Sequence, residues 1–229
     1  MLEIACFNAP SAIAAAKAGA DRIELCADYA AGGVTPCLSA LQQVRKETSI
    51  PVHVMIRPRG GNFNYSADEF QQMKKEVDMF KSLASGFVFG ILDPACRLDK
   101  PRNCELVGIA APLPCTFHRA IDEADALEES VEAAIFCGFK GILTSGGKKN
   151  AIEGAERLHQ LQRRFGTSIS LIAGGGIRST NVEELKRKTG TKWHHSAAIT
   201  RSGEDVDEEE VKRMQQLLTT SGPEQDKTY

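Results

Sequence analysis

The feature that most constrains the fold is the regular return of short apolar runs, separated by amphipathic stretches, along the 229 residues. Eight runs predict strands, which begin near Leu2, Arg22, Val52, Phe87, Pro114, Gly141, Ile169 and Lys192. Successive starts lie about 27 residues apart, the length of one strand with its helical crossover. Alternating strands and helices predict a parallel sheet, and eight even units predict a single closed (β/α)8 barrel, the TIM barrel.

The amphipathic stretches carry the three- to four-residue spacing of helices. Residues 67–83, 124–135 and 207–218 each place their apolar side chains on one face. Side chains that cap helices precede the third, sixth, seventh and eighth stretches, namely Ser66, Asn150, Asn181 or Thr180, and Asp207. We expect the barrel to span residues 1–218 and residues 219–229 to form a disordered tail.

An open, doubly wound sheet is the alternative architecture for alternating strands and helices. In its dinucleotide-binding form that sheet has a GxGxxG sequence directly after the first strand. Here the first strand is followed by Phe7, Asn8 and Ala9. The regular spacing of eight units and the missing glycine sequence both favour the closed barrel.

Charge and hydropathy narrow the range of partners. The formal net charge is −2 at pH 7, whereas a chain that binds nucleic acid or an anionic membrane surface would carry a basic patch. No run approaches the ~18 apolar residues of a membrane span. Met1 opens directly into a strand-like run, without the pattern of a signal peptide. We therefore expect neither a nucleic-acid nor a membrane partner.

Cysteine usage points to a reducing compartment. The chain has seven cysteines, an odd number, and none of them forms a CxxC pair. A secreted disulfide framework would show paired, closely spaced cysteines. The pattern predicts free thiols and a cytoplasmic location, with the nucleus as the open alternative.

The predicted ends of the strands carry most of the polar residues and glycines, while the strand centres are apolar. In a (β/α)8 barrel these carboxyl ends form one rim, and the functional site lies there. The rim residues are Cys6, Glu24, Cys26, Arg57 to Gly61, Asp93, His118, Arg119, Asp122, Thr144 to Gly147, Ala173 to Gly176 and His194 to Ser196. We expect these scattered positions to converge on a common site.

Two kinds of rim residue are typical of anion binding. Arg57 and Arg59 lie beside Gly60 and Gly61, and a guanidinium pairs with a carboxylate or phosphate through two hydrogen bonds. Glycine loops let backbone N–H groups approach a ligand closely, and the chain has two such loops at strand ends, Ser145-Gly146-Gly147 and Gly174-Gly175-Gly176. The alternatives are solvated arginines and glycines that only make tight turns.

Glu24 and His118 are the candidate acid–base residues. Alternation places Arg22, Glu24 and Cys26 on one face of the second strand, and because helices cover the outside this polar face should line the lumen. The alternative for Glu24 is a structural ion pair with Arg22. His118 is a candidate general acid or base, with a metal ligand and a hydrogen-bonded structural group as alternatives.

Cys6 and Cys26 end adjacent predicted strands, and neighbouring strands lie ~4.8 Å apart. Two soft thiolates suit Cu(I). The alternative is that each cysteine packs as a small apolar side chain. Glu3 and Cys6 are separated by an odd number of residues, so they point to opposite faces of a regular strand. If Glu3 faces the lumen, Cys6 needs irregular geometry at the strand end to reach the same site.

Five sequence motifs follow one another along the chain: Ala20 to Cys26 (ADRIELC), Met55 to Ser66 (MIRPRGGNFNYS), Thr116 to Asp122 (TFHRAID), Leu143 to Gly147 (LTSGG) and Ala173 to Ile177 (AGGGI). In this order they resemble the CutC copper homeostasis family, and the resemblance covers almost the whole stretch from Leu2 to about Ser196. The resemblance implies a TIM barrel, a cytoplasmic location, homo-oligomers and a role in copper handling. It also implies Cu(I) binding by cysteines of the first two strands, which here are Cys6 and Cys26.

The chain departs from the family pattern at several places. Asn62 stands where the family has Asp, Ile121 replaces a common Phe, and Pro94-Ala95-Cys96 interrupts a loop that usually reads Asp-Gly. The stretch after Ser196 is also shorter than in the family. Two functions follow as hypotheses: a protein that binds Cu(I) through Cys6 and Cys26, or an enzyme or sensor for a small anionic, phosphorylated metabolite at the barrel mouth.

Overall fold

Eight parallel strands close into a barrel in strict chain order in the computed structural model, which describes residues 1–220. The strands are β1 (Leu2–Cys6), β2 (Arg22–Leu25), β3 (Val52–Met55), β4 (Gly86–Phe89), β5 (Cys115–Phe117), β6 (Gly141–Thr144), β7 (Ser170–Gly174) and β8 (Trp193–Ser196). β1 pairs with β8 and thereby closes the sheet. The predicted (β/α)8 barrel is confirmed, and each strand begins within one residue of its predicted start.

A helix follows each strand and covers the outside of the barrel. The helices are α1 (Ala9–Lys17), α2 (Leu38–Glu47), α3 (Ala67–Phe80), α4 (Lys100–Ala110), α5 (Leu127–Cys137), α6 (Ala155–Phe165), α7 (Val182–Thr189) and α8 (Glu208–Thr220). A short 3-10 helix, Arg119–Glu123, links β5 to α5. α8 extends two residues past the predicted end of the barrel, and the rest of the predicted tail, 221–229, lies outside the described residues.

The capping predictions have different outcomes. Ser66 forms a full capping box with Glu69 at the start of α3. Asp207 accepts hydrogen bonds from the N–H groups of Glu209 and Glu210 at the start of α8. The prediction for Asn150 is wrong, because its side chain accepts from the N–H of Glu153 in a preceding turn and α6 begins only at Ala155.

Apolar side chains form two groups that the strands separate. The larger group fills the layer between strands and helices, where Leu2, Ile4 and Cys6 of β1 pack. The smaller group lies in the lumen and contains Ala5, Phe7, Cys26, Met55, Val88 and Ile199. Because side chains alternate along a strand, β1 sends even-numbered positions outward and Glu3 and Ala5 inward.

Two cysteines contradict the prediction of free thiols throughout. Cys104 of α4 and Cys137 of α5 form a disulfide between neighbouring helices, with their Cα atoms 4.4 Å apart. The remaining cysteines, Cys6, Cys26, Cys37, Cys96 and Cys115, are free. The sequence gives no sign of the pair because the two residues are 33 positions apart and meet only through helix packing.

Among residues 1–220, no helix combines the length and the apolar character that crossing a membrane requires.

Candidate functional site

A cavity of about 450 Å³ opens at the carboxyl ends of the strands, as the barrel predicts. Its wall includes Glu24, Cys26, Arg57 and His118, so these predicted residues do converge on one site. The other charged or titratable residues of the wall are Arg119, Asp122, Glu123, Lys148 and His195. Its apolar wall is formed by Ala5, Phe7, Met55, Phe63, Leu143 and Ala197.

A buried ion-pair network centres on Glu3, and its member His195 lines the cavity. In the strand register Glu3 pairs with Arg22 on one side and with His195 on the other. Its Oε2 accepts from Arg22 Nε at 2.6 Å, and its Oε1 lies 2.8 Å from His195 Nδ1. Burial alone would raise the pKa of Glu3, but the hydrogen bond from His195 and the charge of Arg22 lower it to about 2. Glu3 is therefore ionised at neutral pH.

Glu24 lies beside this network with an incomplete set of partners. Its Oε1 is 3.5 Å from Cys26 Sγ, whereas its buried Oε2 has no hydrogen-bond partner within residues 1–220. Burial and the charge of Glu3 raise the pKa of Glu24, although His195 opposes the shift. The alternative role of Glu24, an ion pair with Arg22, is not observed, because Arg22 binds Glu3 instead. Glu24 has the environment of an acid–base group.

His118 is buried in the cavity wall as a neutral imidazole. Its Nδ1 accepts a hydrogen bond from the N–H of Ala120 at 3.3 Å, so the ring proton lies on Nε2. Nε2 is buried and has no partner among the described residues. Burial and the nearby charge of Arg57 lower the pKa of His118 to about 3. His118 therefore offers a hydrogen-bond donor to a ligand rather than a general base at neutral pH.

The two predicted anion-binding arginines are largely committed to the protein itself. Arg57 is buried and donates to the carbonyl oxygens of Ala31, Gly33 and Gly61, each at 2.9 Å. Its Nε is the one buried nitrogen of the side chain that lacks a partner in residues 1–220. Arg57 thus lines the cavity, but its main contacts hold two loops together.

Arg59 is not part of the cavity wall. Its Nε donates to Glu69 at 2.6 Å, and its other nitrogens donate to the carbonyl oxygens of Gly60, Asn62 and Asn64. The guanidinium therefore stabilises the loop after β3 and the start of α3. These contacts give no support to an anion-binding role for Arg59, which lies outside the cavity.

The predicted Ser145-Gly146-Gly147 anion loop already holds an anion, the carboxylate of Asp122. The N–H groups of Ser145 and Gly147 donate to this carboxylate at 3.0 Å, and Thr144 Oγ1 donates at 2.5 Å. Gly146 N–H donates instead to Thr144 Oγ1. The glycine loop has the predicted chemistry, but the protein supplies the ligand, so a substrate would have to displace Asp122.

Asp122 also fixes Arg119 at the cavity. Arg119 Nε donates to Asp122 Oδ2 and Nη2 donates to Ser145 Oγ, both at 2.9 Å. Nη1 has no partner in the described part of the chain, and the side chain is 41% exposed. The guanidinium of Arg119 is therefore fixed in place with one nitrogen free, and Lys148 lines the same cavity.

The Gly174-Gly175-Gly176 loop lies against Arg119 and His195. A Cβ at Gly175 would lie 3.3 Å from Arg119 Cζ, and one at Gly174 would lie 3.4 Å from His195 Cβ. Gly175 also has a φ of 100°, which disfavours other residues. The N–H groups of Gly175 and Gly176 donate to no group within residues 1–220. Of the two glycine loops, this one keeps free donors.

The two predicted metal-binding thiols belong to different apolar groups. Cys26 packs in the lumen and lines the cavity, whereas Cys6 packs with Leu2 and Ile4 in the layer beneath the helices. Their backbones are joined, since Cys26 N–H donates to the Cys6 carbonyl at 2.8 Å. Burial, with the charge of Glu24, raises the pKa of both thiols well above its usual value.

The sequence places Arg119, Asp122 and His195 at the rim but assigns them no role, and Glu3 is not among its candidate site residues. Glu3 and His195 were each visible as polar residues in strands, but their partnership depends on the closure of β1 onto β8. Arg119 and Asp122 lie three residues apart in the motif that contains His118, a spacing that predicts their ion pair. That signal was available in the sequence.

Glu3, Glu24 and His195 are also the three residues that could share a cation, because their ligand atoms lie within 4.8 Å of one another. Arg22 already pairs with Glu3, so a cation there would have to share this carboxylate with a guanidinium. The ligand set is hard and suits a divalent ion rather than Cu(I), for which sulfur ligands are preferred.

Comparison with known proteins supports one family. The model of the CutC family matches residues 1–200. A CutC family protein of Mesorhizobium japonicum is 40% identical over 200 residues, covering 87% of this chain and 78% of the relative. The human protein named copper homeostasis protein cutC homolog is 39% identical over 203 residues, covering 88% of this chain and 74% of the relative.

Solved structures agree with the sequence comparison. The crystal structure of CutC from Streptococcus agalactiae superimposes with a TM-score of 0.81 at 29% identity, covering 86% of this chain and 98% of that one. Thiamine phosphate pyrophosphorylase from Pyrococcus furiosus reaches a TM-score of 0.62 at 18% identity over 95% of each chain, which reflects the shared barrel fold alone. From its sequence and its structure, this chain belongs to the CutC family, whose relatives include proteins named for copper homeostasis.

Proposed function

We propose that the chain acts in copper homeostasis by binding Cu(I) at the ends of β1 and β2, through Cys26 and Cys6. The observation that carries the proposal is the hydrogen bond from Cys26 N–H to the Cys6 carbonyl, which holds the two cysteines side by side at one rim. Cys26 also borders the cavity, so Cu(I) has a route to it. Met55 packs in the same lumen group and adds a thioether, another soft ligand.

The two thiols contribute unequally in this proposal. Cys26 already lies in the lumen, whereas Cys6 has to turn its side chain out of the apolar layer between strand and helices. We expect Cys26 to be the ligand that Cu(I) meets first and Cys6 to complete the site. A cytoplasmic location and a homo-oligomeric state, which the family resemblance implies, belong to the same proposal.

Anaerobic titration against a chromophoric Cu(I) chelator tests this proposal. Parent protein should bind about one equivalent per chain. Cys26→Ser should weaken binding by more than about tenfold, Cys6→Ser by less, and the double variant should lose the site. Cys115→Ser is the matched control, since Cys115 is a buried free thiol on β5. A double variant that holds Cu(I) as tightly as the parent would contradict the proposal.

A second function, binding of a small anionic metabolite, is favoured by the free cationic groups at the cavity. Arg119 Nη1 and Lys148 Nζ have no partners within residues 1–220, and Gly175, whose N–H group is also unpaired in that range, lies against Arg119. The apolar wall and the His118 Nε2–H donor complete a site for an oxyanion attached to a small organic body. This site differs from the predicted one, because Arg119 replaces Arg59.

Thermal unfolding in the presence of inorganic phosphate tests the second function. A ligand at 100 times its Kd stabilises the native state by about 2.7 kcal/mol, which raises Tm by several degrees in a chain of this size. Arg119→Ala should abolish the rise measured against its own baseline. Arg187→Ala, which removes an exposed arginine of α7, should preserve it. Equal shifts in both variants would exclude Arg119 as the anion ligand.

A further inference from the structure

The contact between Glu3 and His195 fixes which nitrogen of His195 carries a proton. Glu3 is completely buried, and its two oxygens are taken by Arg22 and by His195 Nδ1. An ionised carboxylate only accepts hydrogen bonds, so Nδ1 must be the protonated nitrogen. The lone pair of the neutral ring therefore lies on Nε2.

The position of His195 makes that lone pair available to a ligand. The ring belongs to the cavity wall, and Nε2 forms no hydrogen bond with any residue of the described range 1–220. Arg22 holds Glu3 as a carboxylate, so Glu3 orients the ring and stabilises an imidazolium without taking the proton itself. This is the arrangement of a carboxylate-oriented general base.

The end of β7 brings this base next to the free cationic group. Gly174 lies against His195 and Gly175 lies against Arg119, and neither glycine places a side chain between them. An oxyanion bound at Arg119 and the Gly175 N–H would therefore hold the rest of a small ligand beside His195. Glu24, with its unpartnered Oε2, faces the same space from β2.

We propose that His195, oriented by Glu3, is the acid–base catalyst of this cavity and acts on a small oxyanion that carries an ionisable O–H or C–H bond. The proposal rests on the second function, anion binding at Arg119. In the step itself Nε2 forms a bond to the proton, the ligand keeps the electron pair of the broken bond, and Arg119 and Lys148 face the charge that develops. Return of the proton from Nε2 at another atom would complete an isomerisation.

Alkylation with bromoacetate tests the proposal without knowledge of the natural ligand. The Nε2 lone pair forms a bond to the CH₂ carbon, the C–Br bond breaks, and bromide leaves. Bromoacetamide is the neutral reagent of the same shape, and peptide mass spectrometry locates every adduct. We expect His195 to react preferentially with bromoacetate, and because the nearby carboxylates of Glu24 and Glu3 raise the pKa of His195, the labelling rate should increase as the pH is raised from 7 to about 10 and the ring loses its proton. Exposed Cys37 reports the activity of each reagent.

Two variants separate the base from the anion site. Glu3→Gln should slow labelling of His195 at least about tenfold with both reagents, because the ring loses its orienting charge. Arg119→Ala should remove only the preference for bromoacetate and leave the reaction with bromoacetamide unchanged. His159, a partly exposed histidine of α6, should show no preference in either variant.

The outcomes distinguish the two proposals. If His195 reacts equally with both reagents, the result contradicts an anion site at Arg119 but not the role of His195 as a base. If His195 stays unlabelled while phosphate still stabilises the protein, the anion site stands and the base is overturned. Because Glu3→Gln removes a buried charge and can impair folding, ¹⁵N NMR of parent histidines provides a second measurement. We expect a protonated Nδ1 on neutral His195, and a protonated Nε2 would refute the proposal.

Discussion

Several charged side chains at the rim form their hydrogen bonds with other groups of the same rim. Asp122 is the clearest case, since its carboxylate fills the loop that the sequence offers for an external anion. The same carboxylate holds Arg119 with one face free. In the proposed anion site, Asp122 would therefore act by positioning Arg119 rather than by contacting the anion.

Replacing Asp122 with Ala should destabilise the fold by about 2–4 kcal/mol, because it leaves the Ser145 and Gly147 N–H groups and Thr144 Oγ1 without their acceptor. Asp122→Asn keeps one acceptor oxygen and should recover part of the loss. Urea unfolding gives the free energies. Asp78→Asn, an exposed substitution on α3, is the control and should change little. A loss for Asp122→Ala as small as the control's would show that the loop does not depend on the carboxylate.

At the scale of elements, helices are tied to strand ends by a few buried polar side chains. Asn103 of α4 is fully buried. Its Nδ2 donates to the Ile91 carbonyl at 2.8 Å, and its Oδ1 accepts from Ile91 N–H at 3.2 Å. These two bonds give the backbone after β4 the partners that a neighbouring strand would supply. Asn103 thus ties α4 to the segment that leads from β4 to Asp93.

Asn103→Ala should cost about 1–3 kcal/mol, since the Ile91 N–H would be left buried and unpaired, while the Ile91 carbonyl keeps its hydrogen bond from the Asp99 N–H. The matched control is Glu105→Ala on the same helix, which removes a half-exposed ion pair with Lys74 and should cost less than about 1 kcal/mol. Chemical denaturation of both variants measures the difference. Equal costs would mean that water replaces the amide of Asn103 at no penalty.

The elements themselves were predictable from the sequence to within a few residues, because apolar periodicity depends on local spacing. Ser66 and Asp207 cap their helices as expected. The predicted cap at Asn150 was wrong because a turn of four residues, 151–154, lies between Asn150 and the start of α6. Contacts set by barrel closure, such as Glu3 with His195, and by helix packing, such as Cys104 with Cys137, were not predictable, since they join residues distant in sequence.

Some of the predicted site residues line one cavity and others do not. Glu24, His118, Arg57 and Cys26 reach the cavity because each lies on an inward position at a strand end. Arg59 lies outside the cavity wall because its long side chain turns back to Glu69. The position of Arg59 after β3 does not determine which way this side chain points. Cys6 remains a proposed ligand although β1 directs its side chain outward. Alternation along the strand anticipates this orientation, because Glu3 faces the lumen and Cys6 lies an odd number of residues away.

The molecule as a whole buries several neutral histidines. His53 and His118 lie on the lumen side of the sheet, whereas His194 lies on the outer side, where it pairs in register with Leu2. Burial lowers the pKa of His53 to about 4 and that of His118 to about 3, with help from Arg22 and Arg57 respectively. Burial, the amino terminus and Lys186 lower the pKa of His194 to about 4. In the unfolded chain these imidazoles would take up protons near pH 6.5.

Stability should therefore fall as the pH is lowered from 6.5 towards 4, because the unfolded state binds up to three more protons on these histidines than the native state does. Three protons correspond to a slope of roughly 4 kcal/mol per pH unit at most. Glu3, with its native pKa of about 2, adds a loss in the same direction below about pH 4.5. His195 and Glu24 oppose it, since their native pKa values are raised.

His194→Leu isolates one of the three contributions, because both ring nitrogens of His194 are buried without partners in the described chain and an apolar side chain leaves no unpaired group. The variant should reduce the pH slope by about one proton, or roughly 1.4 kcal/mol per pH unit, and should gain stability over the parent at pH 5. His159→Gln is the control and should leave the slope unchanged. Urea midpoints between pH 7.5 and 4.5 measure both. If the slope of His194→Leu equals the parent's, His194 is protonated in the native state, and the apolar layer between β8 and the helices then tolerates a buried charge.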